Sequence, residues 1–291
     1  MSKQDQAKSI AAKLSTLSKS KNIPYQNIAT VFLLERLLAR LLVNPMLAKS
    51  LVFKGGYVGL RVYNSLRHTM DLDALLMKAD IPKTLKQTVK AIETDIDDGV
   101  WFLFESQIDL QTQGEYGGIR QIFRAGIGEL PKDKKRTQIV NFDIGIGDPV
   151  TPGPIAAQTS EIIGESNLSW QVYPIETIAA EKLQTLLERG GGNSRSKDVF
   201  DLYFYLPKVD SKKFRTAVEK CFEFRETEMP SNPSLFLSQI NPSLLKQGWK
   251  SATASLKKSP DFKEAFDGIL RELNRLFPHV DEKKSNENER Q

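Results

Sequence analysis

The chain has 291 residues, 40% of them hydrophobic and 26% charged, with 41 basic against 36 acidic residues for a net charge of +5. These values describe an ordinary soluble globular protein of one large or two ordinary domains, with only a mild lean toward polyanions. Cys221 is the single cysteine, so no intramolecular disulfide can form; with His68 and His279 the only histidines, a zinc site of the usual ligand types is not expected.

In chain order, Asp5 to Val43 reads as helices. Ile10, Leu14 and Leu17 make one apolar stripe, Pro24 breaks the run, and Ile28, Phe32, Leu33, Leu37 and Leu41 continue it until Pro45. The most apolar stretch, Phe32 to Val43, carries Glu35, Arg36 and Arg40, and is too short and too charged to span a bilayer. The first residues lack a hydrophobic signal core, so a cytoplasmic location without a membrane partner is expected. Leu51-Val52-Phe53 leads into a Lys54-Gly55-Gly56 turn, with a helix over 58–63, a buried strand over 71–76 and a helix over 81–93.

From Val100 the pattern becomes extended. Strands are expected at 101–104, 108–110, 119–125 and 138–146, with a glycine-rich turn at 114–118 and a rigid loop at 151–154. Val172-Tyr173 reads as one more strand. After Pro174 the chain is helical: one helix to the Gly190–Gly192 stop, then helices over 198–206, 211–224, about 242–256 and 261–277. The fold class is therefore α+β, a mixed-sheet domain over 1–165 followed by a helical bundle over 166–280, with 281–291 a polar, disordered tail.

The chemistry concentrates at Asp71-Leu72-Asp73. Alternate strand residues share a face, roughly 6.5–7 Å apart. Two carboxylates so placed can grip divalent cations from one side, and the nearby glycine turn offers bare backbone N–H groups to phosphates. The remainder of the strand is apolar, so two bare carboxylates there need neutralising. Asp143, inside the apolar strand Ile139 to Ile144, is a third candidate metal ligand, or else the partner of a nearby Lys or Arg. Lys182 interrupts the apolar stripe Ile175, Ile178, Ala179, Leu183, Leu186, with Arg189 on a similar bearing. An inward lysine needs an anion, either a structural carboxylate or a substrate phosphate. Asp198 and Asp201 share a helix face near a helix start, where first-turn acids favour the dipole.

Taken in order, Lys54-Gly55-Gly56, Thr69-Met70-Asp71-Leu72-Asp73, Tyr116-Gly117-Gly118-Ile119-Arg120, Phe142-Asp143-Ile144-Gly145, Pro174 to Leu183 and Asn193 to Leu202 resemble the AbiEii/AbiGii toxin family of nucleotidyltransferases. The resemblance spans roughly Phe53 to Leu206. It implies a polymerase-β-like nucleotidyltransferase domain followed by a helical domain. The implied activity is Mg²⁺-dependent transfer of a nucleoside monophosphate from an NTP to an RNA (some members modify tRNA 3′ ends) or to a protein acceptor. It also implies a toxin of a toxin–antitoxin or phage-defence pair, with a cognate antitoxin from a neighbouring gene. By motif position, Gly55 and Gly56 contact the triphosphate, Asp71 and Asp73 hold metal, and Lys182 and Asp198 match the family's further catalytic pair. Thr69 stands at a Ser/Thr position suited to a phosphate contact or modification, and Lys182 and Arg189 offset triphosphate charge. The chain departs from the family pattern at Tyr57, where Ser or Thr often follows the glycines, and at Met70, where a polar or acidic residue is common. The alternative function is a catalytically inactive nucleotide- or RNA-binding protein of the same fold.

Overall fold

The structure, a computed structural model, describes residues 2–77, 79–111, 117–134, 137–192, 194–256 and 258–278. They fall into two compact units, Met1–Pro174 and Ile175–Gln291.

The first unit opens with α1 (Lys3–Lys21) and α2 (Tyr25–Val43), separated at Pro24. The helical run ends before Pro45, as expected, and Pro45 starts a further short helix. In α3 (Pro45–Ser50) its ring takes a first-turn position, and Asn44 Oδ1 accepts from the Met46 and Leu47 N–H groups. There follow β1 (Leu51–Lys54), α4 (Gly55–Arg61), β2 (Asp71–Leu76), α5 (Ile81–Glu93), β3 (Val100–Gln111), β4 (Gly117–Ile127), β5 (Gln138–Ile146), β6 (Ile155–Ser160) and β7 (Asn167–Val172).

These seven strands form one mixed sheet in the order β3-β4-β5-β2-β1-β7-β6. β2 runs parallel to β5 and β1 parallel to β7, and the other neighbours are antiparallel. The two short strands expected at 101–104 and 108–110 are one strand, β3, with its register shifted between Phe104 and Ser106. β6 follows directly where the sequence suggested only a rigid loop, and β7 is longer than the Val172-Tyr173 expected. Because β7 pairs with β1, the sheet unit runs past residue 165 to Pro174. Most of the expected turn at 114–118 lies outside the described residues.

Alternation divides the sheet into two faces. Leu72, Ala74, Val140, Phe142 and Ile144 are buried, and on their side Gln121 accepts from Thr88 Oγ1 of α5 at 2.8 Å while Gln138 donates to Thr30 of α2 at 2.7 Å. α2 is buried nearly all round, charges included. Arg40 forks onto Asp98 at 2.7 and 2.8 Å and also donates to the Thr94 and Val100 carbonyls. Glu35 pairs with Arg36 and Arg61 and accepts from the Ile162 N–H. The charges that interrupt the most apolar stretch are thus core ion pairs, which is what makes their burial tolerable. No described helix is long and apolar enough to cross a membrane.

The second unit is helical: α6 (Ile175–Arg189), α7 (Ser196–Tyr205), α8 (Ser211–Phe224), α9 (Pro233–Gln239), α10 (Ser243–Gln247), α11 (Trp249–Ala252) and α12 (Phe262–Leu276). α6 packs on α7 and α8, and α12 on α7 and α9. Leu183, Leu186, Leu202, Tyr205, Phe214, Val218, Ile269 and Leu273 build its core. Asn232, Asp210 and Asp261 cap α9, α8 and α12 through backbone N–H groups. The helix expected over 242–256 is two short ones meeting at Gly248. A Cβ on Gly248 would lie 2.2 Å from Ser196 Oγ, so the chain there lies against α7. Residues 281–291 lie outside the described residues.

Candidate active site

The face of the sheet opposite α2 and α5 carries a row of charge. Register pairs Lys54 with Asp73, Asp73 with Asp143, and Asp143 with Arg120, so four neighbouring strands place these side chains at one level on one face. Neighbouring strands lie about 4.8 Å apart. Asp71 sits one pleat repeat from Asp73 on the same face and pairs with Asn141. The structure thus brings Asp71, Asp73 and Asp143 together on one surface.

Their partners differ. Asp71 Oδ1 accepts from Asn141 Nδ2 at 2.8 Å. Both oxygens of Asp143 accept from Arg120, Oδ1 from Nε at 2.7 Å and Oδ2 from Nη2 at 2.7 Å. That fork, with Asp71 and Asp73 also close enough to act on it, outweighs desolvation and holds the Arg120 guanidinium well above its ordinary range. At the other end of the row, Lys54 Nζ lies 3.0 Å from Asp148 Oδ2 and 5.2 Å from the centre of the Tyr173 ring. Asp148 is therefore an ion-pair partner. Among the described residues no group of three or more His, Cys, Asp or Glu is arranged to hold a metal ion. Asp71 and Asp73 remain as two hard oxygen donors on one face, which fits a cation of the Mg²⁺ type whose other ligands are substrate phosphates and water.

The glycine turn is shaped around this row. Gly55 has φ +73°, a left-handed conformation that side chains resist. A Cβ there would fall 2.1 Å from Asp73 Oδ2. Gly55 therefore lets the backbone pass directly over the Asp73 carboxylate. Gly56 is as closely approached: a Cβ would lie 2.8 Å from Thr69 Oγ1 and 3.1 Å from an Arg67 terminal nitrogen. Arg67 and Thr69 are both buried. Thr69 Oγ1 donates to the Asp71 carbonyl at 3.3 Å, and Arg67 Nη1 to the His68 carbonyl at 3.1 Å. A guanidinium and a hydroxyl therefore sit against the second glycine, immediately before the carboxylate strand. Gly55→Ala is expected to destabilise the protein by about 1–2 kcal/mol from the left-handed conformation alone. It should also lower activity further than that loss explains, because the new methyl displaces Asp73; urea melts beside an activity assay check both.

The two departures from the family pattern have different outcomes. Tyr57 is buried, and its ring lies 5.9 Å from that of Trp170, which in turn packs 5.5 Å from Phe53. Its bulk goes into the core, away from the glycine turn. Met70 is exposed.

In the second unit, Lys182 Nζ donates to Asp198 Oδ1 at 2.7 Å and lies 2.8 Å from Asp201 Oδ2. Arg195 Nε also pairs with Asp198. Asp198 and Asp201 are buried, and two cations balance two anions. Burial alone would push the Asp198 carboxyl up, but Lys182 and Arg195 overcome it and hold it well below the usual carboxylate range. The inward lysine thus has the carboxylate partners its position demands, with Asp201 beside the expected Asp198. Arg189 is exposed on the last turn of α6.

Arg67, Arg120, Asp148 and Asp201 are the residues that sequence reasoning missed as site members. Only Asp201 left a usable signal, its three-residue spacing from Asp198.

The architecture is shared with solved structures. A crystal structure of a candidate nucleotidyltransferase from H. pylori aligns with a TM-score of 0.55 at 18% identity, covering 92% of this chain and 100% of that one. JHP933 from Helicobacter pylori aligns with a TM-score of 0.52 at 16% identity, covering 92% of this chain and 98% of that one. At such identities the likeness establishes a shared fold. No curated protein matches the chain. A family profile described as "Nucleotidyl transferase AbiEii toxin, Type IV TA system" matches residues 36–272. The chain therefore belongs to the AbiEii family of nucleotidyltransferase toxins, whose type IV systems pair a toxin with an antitoxin.

Proposed function

We propose that the protein transfers a nucleoside monophosphate from an NTP to an RNA acceptor, such as a tRNA 3′ end, or to a protein acceptor, with Mg²⁺, and that an antitoxin from a neighbouring gene counters it in the cytoplasm. The observation that carries the reading is the pair of carboxylates, Asp71 and Asp73, on one sheet face beneath a glycine turn flanked by Arg67 and Thr69. Asp71 and Asp73 are the residues that would hold the cation. The chemistry it supplies when bound is polarisation of the phosphoryl oxygens and a lowered pKa for an acceptor hydroxyl. The chain's own groups do the rest. Arg67 gives a planar, permanently charged donor set for phosphate oxygens. The Thr69 hydroxyl and the bare glycine backbone add neutral donors beside it. Within the second unit, Lys182 is held in place by Asp198 and Asp201.

The test is incubation with each labelled NTP and total RNA, comparing wild type with Asp71→Ala. Label in RNA that disappears in the variant supports transfer. Tight nucleotide binding without label from any NTP supports the inactive binding protein instead.

A further inference from the structure

Asp71 and Asn141 stand side by side across the parallel pair β2 and β5, on the sheet face that carries the carboxylates. Asn141 Nδ2 donates to Asp71 Oδ1 at 2.8 Å. Among the described residues, Oδ2 of the same carboxylate accepts no hydrogen bond. The two oxygens of Asp71 are therefore not equivalent: one is tied to the neighbouring strand, and the other keeps its lone pairs. The tie follows from the register of two paired strands, so the carboxylate is held by the sheet itself. The amide is neutral. It orients the carboxylate without cancelling its charge, unlike the Arg120 guanidinium on Asp143.

Resting on the functional reading above, we propose that Asn141 sets the choice of cation: it holds Asp71 as a one-oxygen ligand and so favours an ion of the Mg²⁺ type over Ca²⁺. The two ions ask different things of a carboxylate. Mg²⁺ is small, demands near-ideal octahedral geometry and keeps several waters, a shell that single carboxylate oxygens complete. Ca²⁺ takes roughly six to eight oxygens in a flexible shell and uses both oxygens of one carboxylate readily. For Asp71 to chelate with both oxygens, the bond from Asn141 must break and leave the amide without its acceptor. A one-oxygen ligand avoids that cost. Asn141 is a positioning residue in this scheme, acting through Asp71.

The test titrates the full chain with Mn²⁺, which shares the oxygen-ligand preference of Mg²⁺ and is read by electron paramagnetic resonance as loss of the free-ion signal, and then displaces it with Ca²⁺. Wild type, Asn141→Leu and Asn141→Ser are compared, with melting curves to confirm that each is folded. Loss of the amide should shift the ratio of the Ca²⁺ and Mn²⁺ dissociation constants toward Ca²⁺ by about tenfold, the low end of what groups hydrogen-bonded to metal ligands control. A merely structural role for Asn141 would loosen the site for both ions alike and leave the ratio where it was. An unchanged ratio in a folded variant overturns the inference. Mn²⁺ binding that is absent from wild type, or that Asp71→Asn leaves intact, counts instead against the functional reading, which keeps the two failures apart.

Discussion

Replacing Lys182 with methionine is expected to lower the stability of the second unit by about 3 kcal/mol or more, the cost of leaving buried carboxylates without their cation. Lys182 joins Asp198 to Asp201 through one ammonium group. Arg195 still reaches Asp198, but its side chain is half exposed. The variant therefore removes a positive charge from beside two buried carboxylates. Adding Asp201→Asn should recover much of the loss, because it removes one of the two buried negative charges while keeping the shape. Urea unfolding of both single variants and the double variant gives the coupling directly. Additive losses would mean that the three side chains do not act as a unit.

Asp71→Ala should reduce nucleotidyl transfer by about a thousandfold while changing stability little. The effect follows from several kcal/mol of transition-state stabilisation that depend on the carboxylate pair, at 1.36 kcal/mol per tenfold. Stability should move little because Asp71 is half-buried at a strand end and gives up one hydrogen bond, from Asn141. The experiment reads label incorporation beside a melting curve. A large fall in melting temperature would assign Asp71 a structural role instead.

The carboxylate strand was legible because its signal is local: two acids at alternate positions in an otherwise apolar run leave few physical explanations. Asp143 was legible for the same reason, but its partner was not. Arg120 meets it only because β4 and β5 pair in one particular register across 23 positions, and register is set by the whole sheet rather than by either segment. Arg67 lies in a loop without periodicity, so nothing in the chain marks it as buried beside Gly56. Tyr57 reads as a change in the phosphate turn, whereas its ring turns into the core against Trp170. β6 went unseen because Ala156, Ala157, Gln158 and Ser160 carry little of the β-branched and aromatic character that marks strands, as suits an edge strand. Glu35, Arg36 and Arg40 looked like breaks in an apolar helix; they are buried because their partners come from distant segments, Asp98 and Glu161 among them.

The most direct test of the carboxylate pair is Asp73→Cys. Cys221 is the only native cysteine and is buried, so the new thiolate would be the one accessible thiolate. Because thiolates favour softer metals than Mg²⁺, transfer by this variant should be lost in Mg²⁺ and restored in part by Mn²⁺ or Cd²⁺, with wild type showing no such preference. Full activity of Asp73→Cys in Mg²⁺, or an inactive but folded variant that no softer metal restores, would contradict a metal-holding role for this side chain.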